Sequence, residues 1–209
     1  LDQKFEIKNI KDQIELSKNV ASHIADGKVI GWFQGKMEFG PRALGNRSIL
    51  GDPRSEFMQS IINQKIKFRE GFRPFAPAIL KEFASQWFDL EIESPYMLLV
   101  SKVKKNKLVN VNEDNLIGLE KLNVKRSNIP AVTHVNSTAR VQTVDVNTNF
   151  LFYRLISNFN NITGCPILIN TSFNVKDEPM VCDPKDAIDC FLRTNMDDLV
   201  LNNTIIARN

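Results

Sequence analysis

Histidine is scarce in this chain (two residues), cysteine is scarce (three), and no long apolar run occurs. Cys165, Cys182 and Cys190 form no Cys-x-x-Cys pair and leave an odd thiol. That composition excludes a disulfide framework and a cysteine zinc site, and points to a reducing, cytoplasmic setting. His23 and His134 stand far apart with no acidic residue at ligand spacing, so no histidine metal centre is expected. The apolar run "YMLLV" at 96–100 is far below the roughly 20 residues of a membrane-crossing helix. The opening "LDQKFEIKNI" is charged throughout and makes no signal peptide. The usual nucleotide fingerprints are missing too. In "GWFQGKM" the first glycine stands one residue too close for a P-loop and no Ser or Thr follows the lysine; no Gly-x-Gly-x-x-Gly occurs. Any nucleotide site must be built another way.

What is present suits one globular domain. The 209 residues are 43% apolar and 24% charged, with a net charge of +3. That balance supports an ordinary core and argues against bulk nucleic-acid binding, leaving room for a local basic concavity. The chain does not begin with methionine and is expected to be part of a longer one, with residues 1–13 a linker or tail and 14–209 the domain.

Residues 14–28 carry Leu16, Val20, Ala21 and Ile24 at helical spacing with Gly27 as the stop. Residues 29–36 read as a short buried strand. A further helix presents Phe57, Met58, Ile61, Ile62 and Ile66 on one face. The two prolines of "RPFAPAIL" place it at a sheet edge or in a loop, and 96–104 reads as a strand. Residues 105–128 lose periodicity and read as a surface loop or lid. Residues 131–145 alternate about a turn at Asn136-Ser137. An amphipathic helix follows at 149–160, then a core strand in "CPILINTSFNV". Asp183-Pro184 opens the last helix, and a hairpin closes the chain. The class is α/β or α+β with a mixed sheet.

Four stretches concentrate chemistry. In "GKMEFGPRALGNRSIL" (35–50) Gly40 and Pro41 suit the first turn of a helix, whose free N–H groups attract anions. Arg42 there opposes the helix dipole unless an anion is bound. The alternative is a capped surface turn in which Arg42 and Arg47 pair with Glu38 and Asp52. In "KIKFREGFRPFAP" an extended 67–69 puts Lys67 and Arg69 on one face, with Arg73 following and Phe68, Phe72 and Phe75 anchored in the core. The alternative is a solvated basic face. Arg140 adds a cation beside hydroxyls and His134. In "INTSFN", Asn170, Thr171, Ser172 and Asn174 end a buried strand, where short polar groups bind phosphate or a carbonyl or bond their own backbone.

Together "EFGPRALGNRSIL", "KFREGFRPFAP", "THVNSTARVQTV" and "PILINTSFN" resemble the C-terminal half of the O-carbamoyltransferases that modify antibiotics and nodulation factors. The resemblance covers about residues 14–208. It implies a YrdC-like domain, a twisted mixed sheet with flanking helices and a basic concave face. It implies that this half takes carbamoyl phosphate and ATP, with Mg²⁺ on the ATP, and makes carbamoyladenylate. A preceding kinase-like, metal-binding domain would pass the carbamoyl group to a hydroxyl. Lys67-Phe68-Arg69 and Ser172-Phe173-Asn174 match the YrdC-like Lys-x-Arg and Ser-x-Asn signatures. By the same resemblance Lys67, Arg69, Ser172 and Asn174 are catalytic, and Arg42, Lys67, Arg73, Arg140, Asn170, Thr171 and Ser172 hold substrate. The family's metal site has no counterpart here, and His23 is expected to be structural. The competing class is a basic RNA- or nucleotide-binding module without turnover, which has no need of the Ser-x-Asn turn.

Overall fold

The computed structural model describes residues 4–110 and 124–208. Among them nine strands form one mixed sheet: β1 (Phe5–Asn9), β2 (Ile30–Phe33), β3 (Arg47–Gly51), β4 (Ala76–Leu80), β5 (Leu99–Lys102), β6 (Thr138–Val144), β7 (Ile167–Ser172), β8 (Asp198–Leu201) and β9 (Thr204–Arg208). Their spatial order is β1-β9-β8-β2-β3-β7-β4-β6-β5. The β2–β8 and β4–β6 pairs are parallel and the others antiparallel. This is the mixed α/β architecture expected.

Helices form at the four places the sequence indicates, and a short one, α3 (Ala84–Trp87), forms where none is expected. α1 (Gln13–Ala25) starts where the Asp12 side chain accepts from the Ile14 N–H, and it buries Leu16, Val20, Ala21 and Ile24. α2 (Met58–Ile61) runs into a π-helical turn at Ile62–Ile66, and the short α3 (Ala84–Trp87) follows β4. α4 (Phe150–Thr163) is capped by Asn149 and closed by Gly164 in the left-handed region. α5 (Pro184–Arg193) opens with a complete capping box between Asp183 and Asp186. α1 packs along α4, while α5 packs on β2 and β8.

Several expectations are corrected. Residues 5–9, expected within a tail, form β1, which pairs with β9 at the sheet's far edge. β4 is central, not an edge. Pro77 is tolerated because the β6 ladder begins only at Ala78, so its missing N–H breaks no bond there. Residues 130–132 form a helical turn instead of a strand, and β6 begins after Ser137, which sits at φ 59°. Part of the 105–128 stretch, 111–123, lies outside the described residues. Its flanks meet through a Leu108–Ser127 bridge, with the Lys107 ammonium 4.2 Å from the Trp87 ring centre.

Gly45 is the position where a side chain is least affordable. It sits at φ 113°, and a Cβ there would lie 2.4 Å from Phe152 of α4. Gly45→Ala is expected to cost about 2–5 kcal/mol, combining left-handed strain with overpacking. Urea unfolding of the variant should show that loss; a loss below about 1 kcal/mol would mean the loop shifts freely.

Candidate functional site

Residues paired across a sheet, and alternate residues along each strand, share a face. By register Trp32, Ser48, Ser172, Asn170, Gln142 and Arg140 therefore lie on one face of the sheet. Three of them grip the 38–46 loop by successive carbonyls. Trp32 Nε1 donates to Gly45 O (2.8 Å), Gln142 Nε2 to Leu44 O (2.8 Å) and Asn170 Nδ2 to Ala43 O (3.0 Å). Asn170 Nδ2 also donates to Gln142 Oε1 at 2.7 Å, tying β7 to β6. From the loop itself, Glu38 Oε1 accepts the N–H groups of Leu44 and Asn46, each at 2.7 Å.

This fastening replaces the helix expected after Pro41. No helix forms there, because the loop's carbonyls are taken by side chains across the sheet and not by following N–H groups. Nor do the alternative ion pairs form. Glu38 is spent on backbone and Asp52 pairs with Arg54 at 2.6 Å. Arg47 stacks 3.5 Å from the Phe33 ring centre and donates to the carbonyls of Gln34, Gly35, Asn46 and Cys182.

The loop delivers Arg42 to a cleft of about 130 Å³ that Arg69, Arg140, Asn170, Thr171 and Ser172 also line. Among the described residues no carboxylate lines it. Burial pulls the Arg140 guanidinium below its ordinary range, and the charge of Arg42 pulls it further. Arg69 is lowered chiefly by burial and then by Arg73. The Nε atoms of Arg42 and Arg140 and the Oδ1 of Asn170 are buried without a hydrogen-bond partner. Cations gathered at one cleft that no described carboxylate lines make a place that favours an anion.

Arg69 reaches the cleft through a turn that the extended reading missed. Phe68 adopts a left-handed conformation (φ 49°), so Lys67 and Arg69 point to different places. Arg69 Nε donates to Asn63 Oδ1 at 2.7 Å and its guanidinium lies 5.2 Å from the Phe75 ring centre. Of the three expected aromatic anchors only Phe75 is buried; Phe68 and Phe72 are each 51% exposed. Met97, whose sulfur takes an Arg140 N–H at 3.8 Å, is also left-handed at φ 56°. Two strained non-glycine residues thus flank the cleft.

Lys67 and Arg73 do not line the cleft. Lys67 sits behind it, 2% exposed. Its Nζ donates to Ser172 O (2.5 Å), Ser172 Oγ (3.2 Å) and Asn174 Oδ1 (2.6 Å). Burial, and then the charge of Arg69, push Lys67 down to about 7. Asn174 Nδ2 holds the Glu178 carbonyl at 2.8 Å. Arg73 turns outward to Glu70, with Nε 3.0 Å from its carboxylate and both side chains about half-exposed. His134 is lowered by burial and by Arg140, and its Nδ1 lies 3.2 Å from Thr138 Oγ1. His23 Nδ1 lies 2.5 Å from the buried Asp198 carboxylate, which Lys28 also approaches at 3.3 Å, a structural role as expected. Among the described residues no group of three His, Cys, Asp or Glu side chains could hold a metal.

Sequence reasoning missed Trp32, Gln142 and Asn63. The usable signal was a polar residue on an otherwise apolar face, as Asn63 stands between Ile62 and Ile66. Asn170→Ala removes one of the three loop fastenings together with the bond to Gln142, and is expected to cost about 1–3 kcal/mol in chemical unfolding. Limited proteolysis should then cut within 38–46 faster than in the parent. An unchanged cleavage rate would show that the loop holds without Asn170.

The chain matches the family described as Carbamoyltransferase C-terminus over residues 21–208. It is 53% identical over 196 residues to the uncharacterized protein sll1178 of Synechocystis, covering 93% of this chain and 32% of that one. It is 45% identical to the nodulation protein NolNO of Sinorhizobium fredii, over 93% of this chain and 26% of the relative. It is 34% identical to the 3'-hydroxymethylcephem-O-carbamoyltransferase of Amycolatopsis lactamdurans, over 87% of this chain and 31% of the relative. The chain thus spans about a quarter to a third of the length of these relatives. Among solved structures, full-length HypF in its phosphate- and nucleotide-bound form has the same fold at a TM-score of 0.54 and 16% identity, over 99% of this chain and 22% of that one. With its motifs, its sheet and nearly its whole length accounted for, the chain belongs to the carbamoyltransferase C-terminal family.

Proposed function

We propose that this domain binds carbamoyl phosphate and ATP at the arginine cleft and makes carbamoyladenylate, which a preceding kinase-like domain of a longer chain passes to a hydroxyl acceptor. The observation that carries this reading is the set of Arg42, Arg69 and Arg140 around one small space that, among the described residues, no carboxylate lines. Both substrates are strongly anionic, and planar guanidinium groups grip phosphate oxygens at two points. Water cleaves carbamoyl phosphate to phosphate and carbamate. A carbamate oxygen then bonds to the α-phosphorus of ATP while pyrophosphate leaves with the bond it held.

The chain's own part is positioning and charge neutralisation, since the described residues that line the cleft offer no carboxylate or thiol nucleophile. Mg²⁺ would come on the ATP phosphates and supply further charge neutralisation there. A neighbouring hollow of about 480 Å³ shares Pro74 with the cleft and is walled by Phe72, His134, Val135 and Asn136. It has the room and the apolar walls that a nucleoside needs beside its phosphates. A cytoplasmic setting agrees with this chemistry, and no helix among the described residues is long and apolar enough to cross a membrane. An RNA-binding module fits less well, because Arg42, Arg69 and Arg140 gather in one small cleft instead of a stripe along the surface.

The decisive assay is pyrophosphate release from ATP, which should require carbamoyl phosphate; release at the same rate without it would overturn the reading. Arg140→Ala should lose a charge-assisted contact worth roughly 1.5–3 kcal/mol, lowering ATP affinity about 10–150-fold. Arg73→Ala, which removes only an exposed pair, should change affinity less than about threefold. Calorimetry that ranks the two variants the other way would place the anion outside the cleft.

A further inference from the structure

A lysine ammonium has three N–H bonds to give, and Lys67 gives all three inside the protein, to Ser172 O, Ser172 Oγ and Asn174 Oδ1. It does not line the cleft, whereas Ser172 does. Lys67 could therefore reach a ligand only by abandoning a buried acceptor, which is costly. Asn174 Oδ1, by contrast, receives two donors, Lys67 Nζ at 2.6 Å and Ser172 Oγ at 2.7 Å. Either one satisfies it. With Lys67 protonated, the Ser172 hydroxyl is free to rotate about its Cβ–O bond and leave no buried acceptor empty.

We propose that Lys67 is a positioning residue that acts through Ser172: its ammonium keeps Asn174 satisfied and releases the Ser172 hydroxyl proton to turn onto an anion in the cleft, so that anion binding is linked to protonation of Lys67. This rests on the reading of the cleft as an anion site.

The surroundings of Lys67 set the direction of that linkage. Arg69 lies two residues on, with Arg73 beyond it held by Glu70. From α5 comes the Cys190 thiol, pushed up to about 11 by burial and so uncharged near neutrality. Arg193 and Glu178 neutralise each other at 2.7 Å. The Lys176 N–H donates to the Lys67 carbonyl at 3.1 Å, and among the described residues no carboxylate pairs with the ammonium. With burial and Arg69 holding Lys67 at about 7, the group is largely neutral at pH 8. An anion in the cleft offsets Arg69 and favours the charged form, so binding draws a proton from solvent.

The test is calorimetric titration of the domain with ATP at pH 8, where the ATP phosphates are already ionised, in buffers of different ionisation enthalpy. The slope of observed heat against buffer enthalpy counts protons taken up. The parent is expected to take up a substantial fraction of one proton. Lys67→Arg, which keeps the charge but does not titrate, should bind ATP with uptake near zero, and Lys67→Met should lose both uptake and affinity. Ser172→Ala should retain uptake and bind about tenfold or more weakly. Binding by the parent without proton uptake overturns this proposal alone, and so does tight binding by Ser172→Ala. If ATP does not bind at all, the reading of the cleft fails and the proposal with it.

Discussion

Three consecutive carbonyls, those of Ala43, Leu44 and Gly45, are each held by a side chain from one sheet face, and the cleft depends on that grip. Neutral hydrogen bonds of this kind contribute roughly 0.5–1.5 kcal/mol each. The three together amount to a sizeable part of the 5–15 kcal/mol that typically separates a folded domain from its unfolded chain, by order of magnitude. Their placement matters more than their sum. They lay the loop across the sheet, so Arg42 arrives facing Arg140 and Arg69, which come from β6 and from the turn after the π-helical segment. The Asn170–Gln142 bond couples two of the three anchors, so the walls are fixed relative to each other.

The grip opposes an electrostatic cost. Arg140 is lowered by burial and then by the charge of Arg42, and Arg69 by burial and then by Arg73. Strain is stored in the same place, with Phe68 and Met97 in left-handed backbone. Each feature costs stability in the free domain and is relieved or used when a negative charge enters. Their coincidence at one spot is what the proposed anion site rests on, and the chain belongs to the carbamoyltransferase C-terminal family. Behind the arginines, Lys67 gives its N–H groups to Ser172 and Asn174 and does not line the cleft, which separates the two basic residues that a linear motif makes look alike.

Local signals were the legible ones. α1, α4 and α5 follow from spacing and, for α5, from the expected Asp183 cap; Asp12 and Asn149 also each accept a backbone N–H at a helix start. The buried runs of β2 and β7 and the closing hairpin followed from composition. What the sequence hid were contacts between distant positions. Pro41 looks like a helix start, yet Asn170, 127 residues from Ala43, decides the loop's path. Phe68 and Phe72 look like anchors, yet the left-handed turn at Phe68 leaves both outside the core. Pro77 looks like an edge residue, yet the offset start of the β6 ladder admits it to the centre of the sheet. Periodicity describes one element at a time and is blind to such pairings.

Convergence of separate arginines on a single anion is the central claim, and a double-mutant cycle tests it most directly. ATP affinity is measured for Arg42→Ala, Arg140→Ala and the double variant. Groups that share one ligand couple, so the double variant should depart from the sum of the singles by more than about 0.5 kcal/mol. Additivity within about 0.3 kcal/mol would contradict a shared anion and dissolve the cleft into independent surface charges.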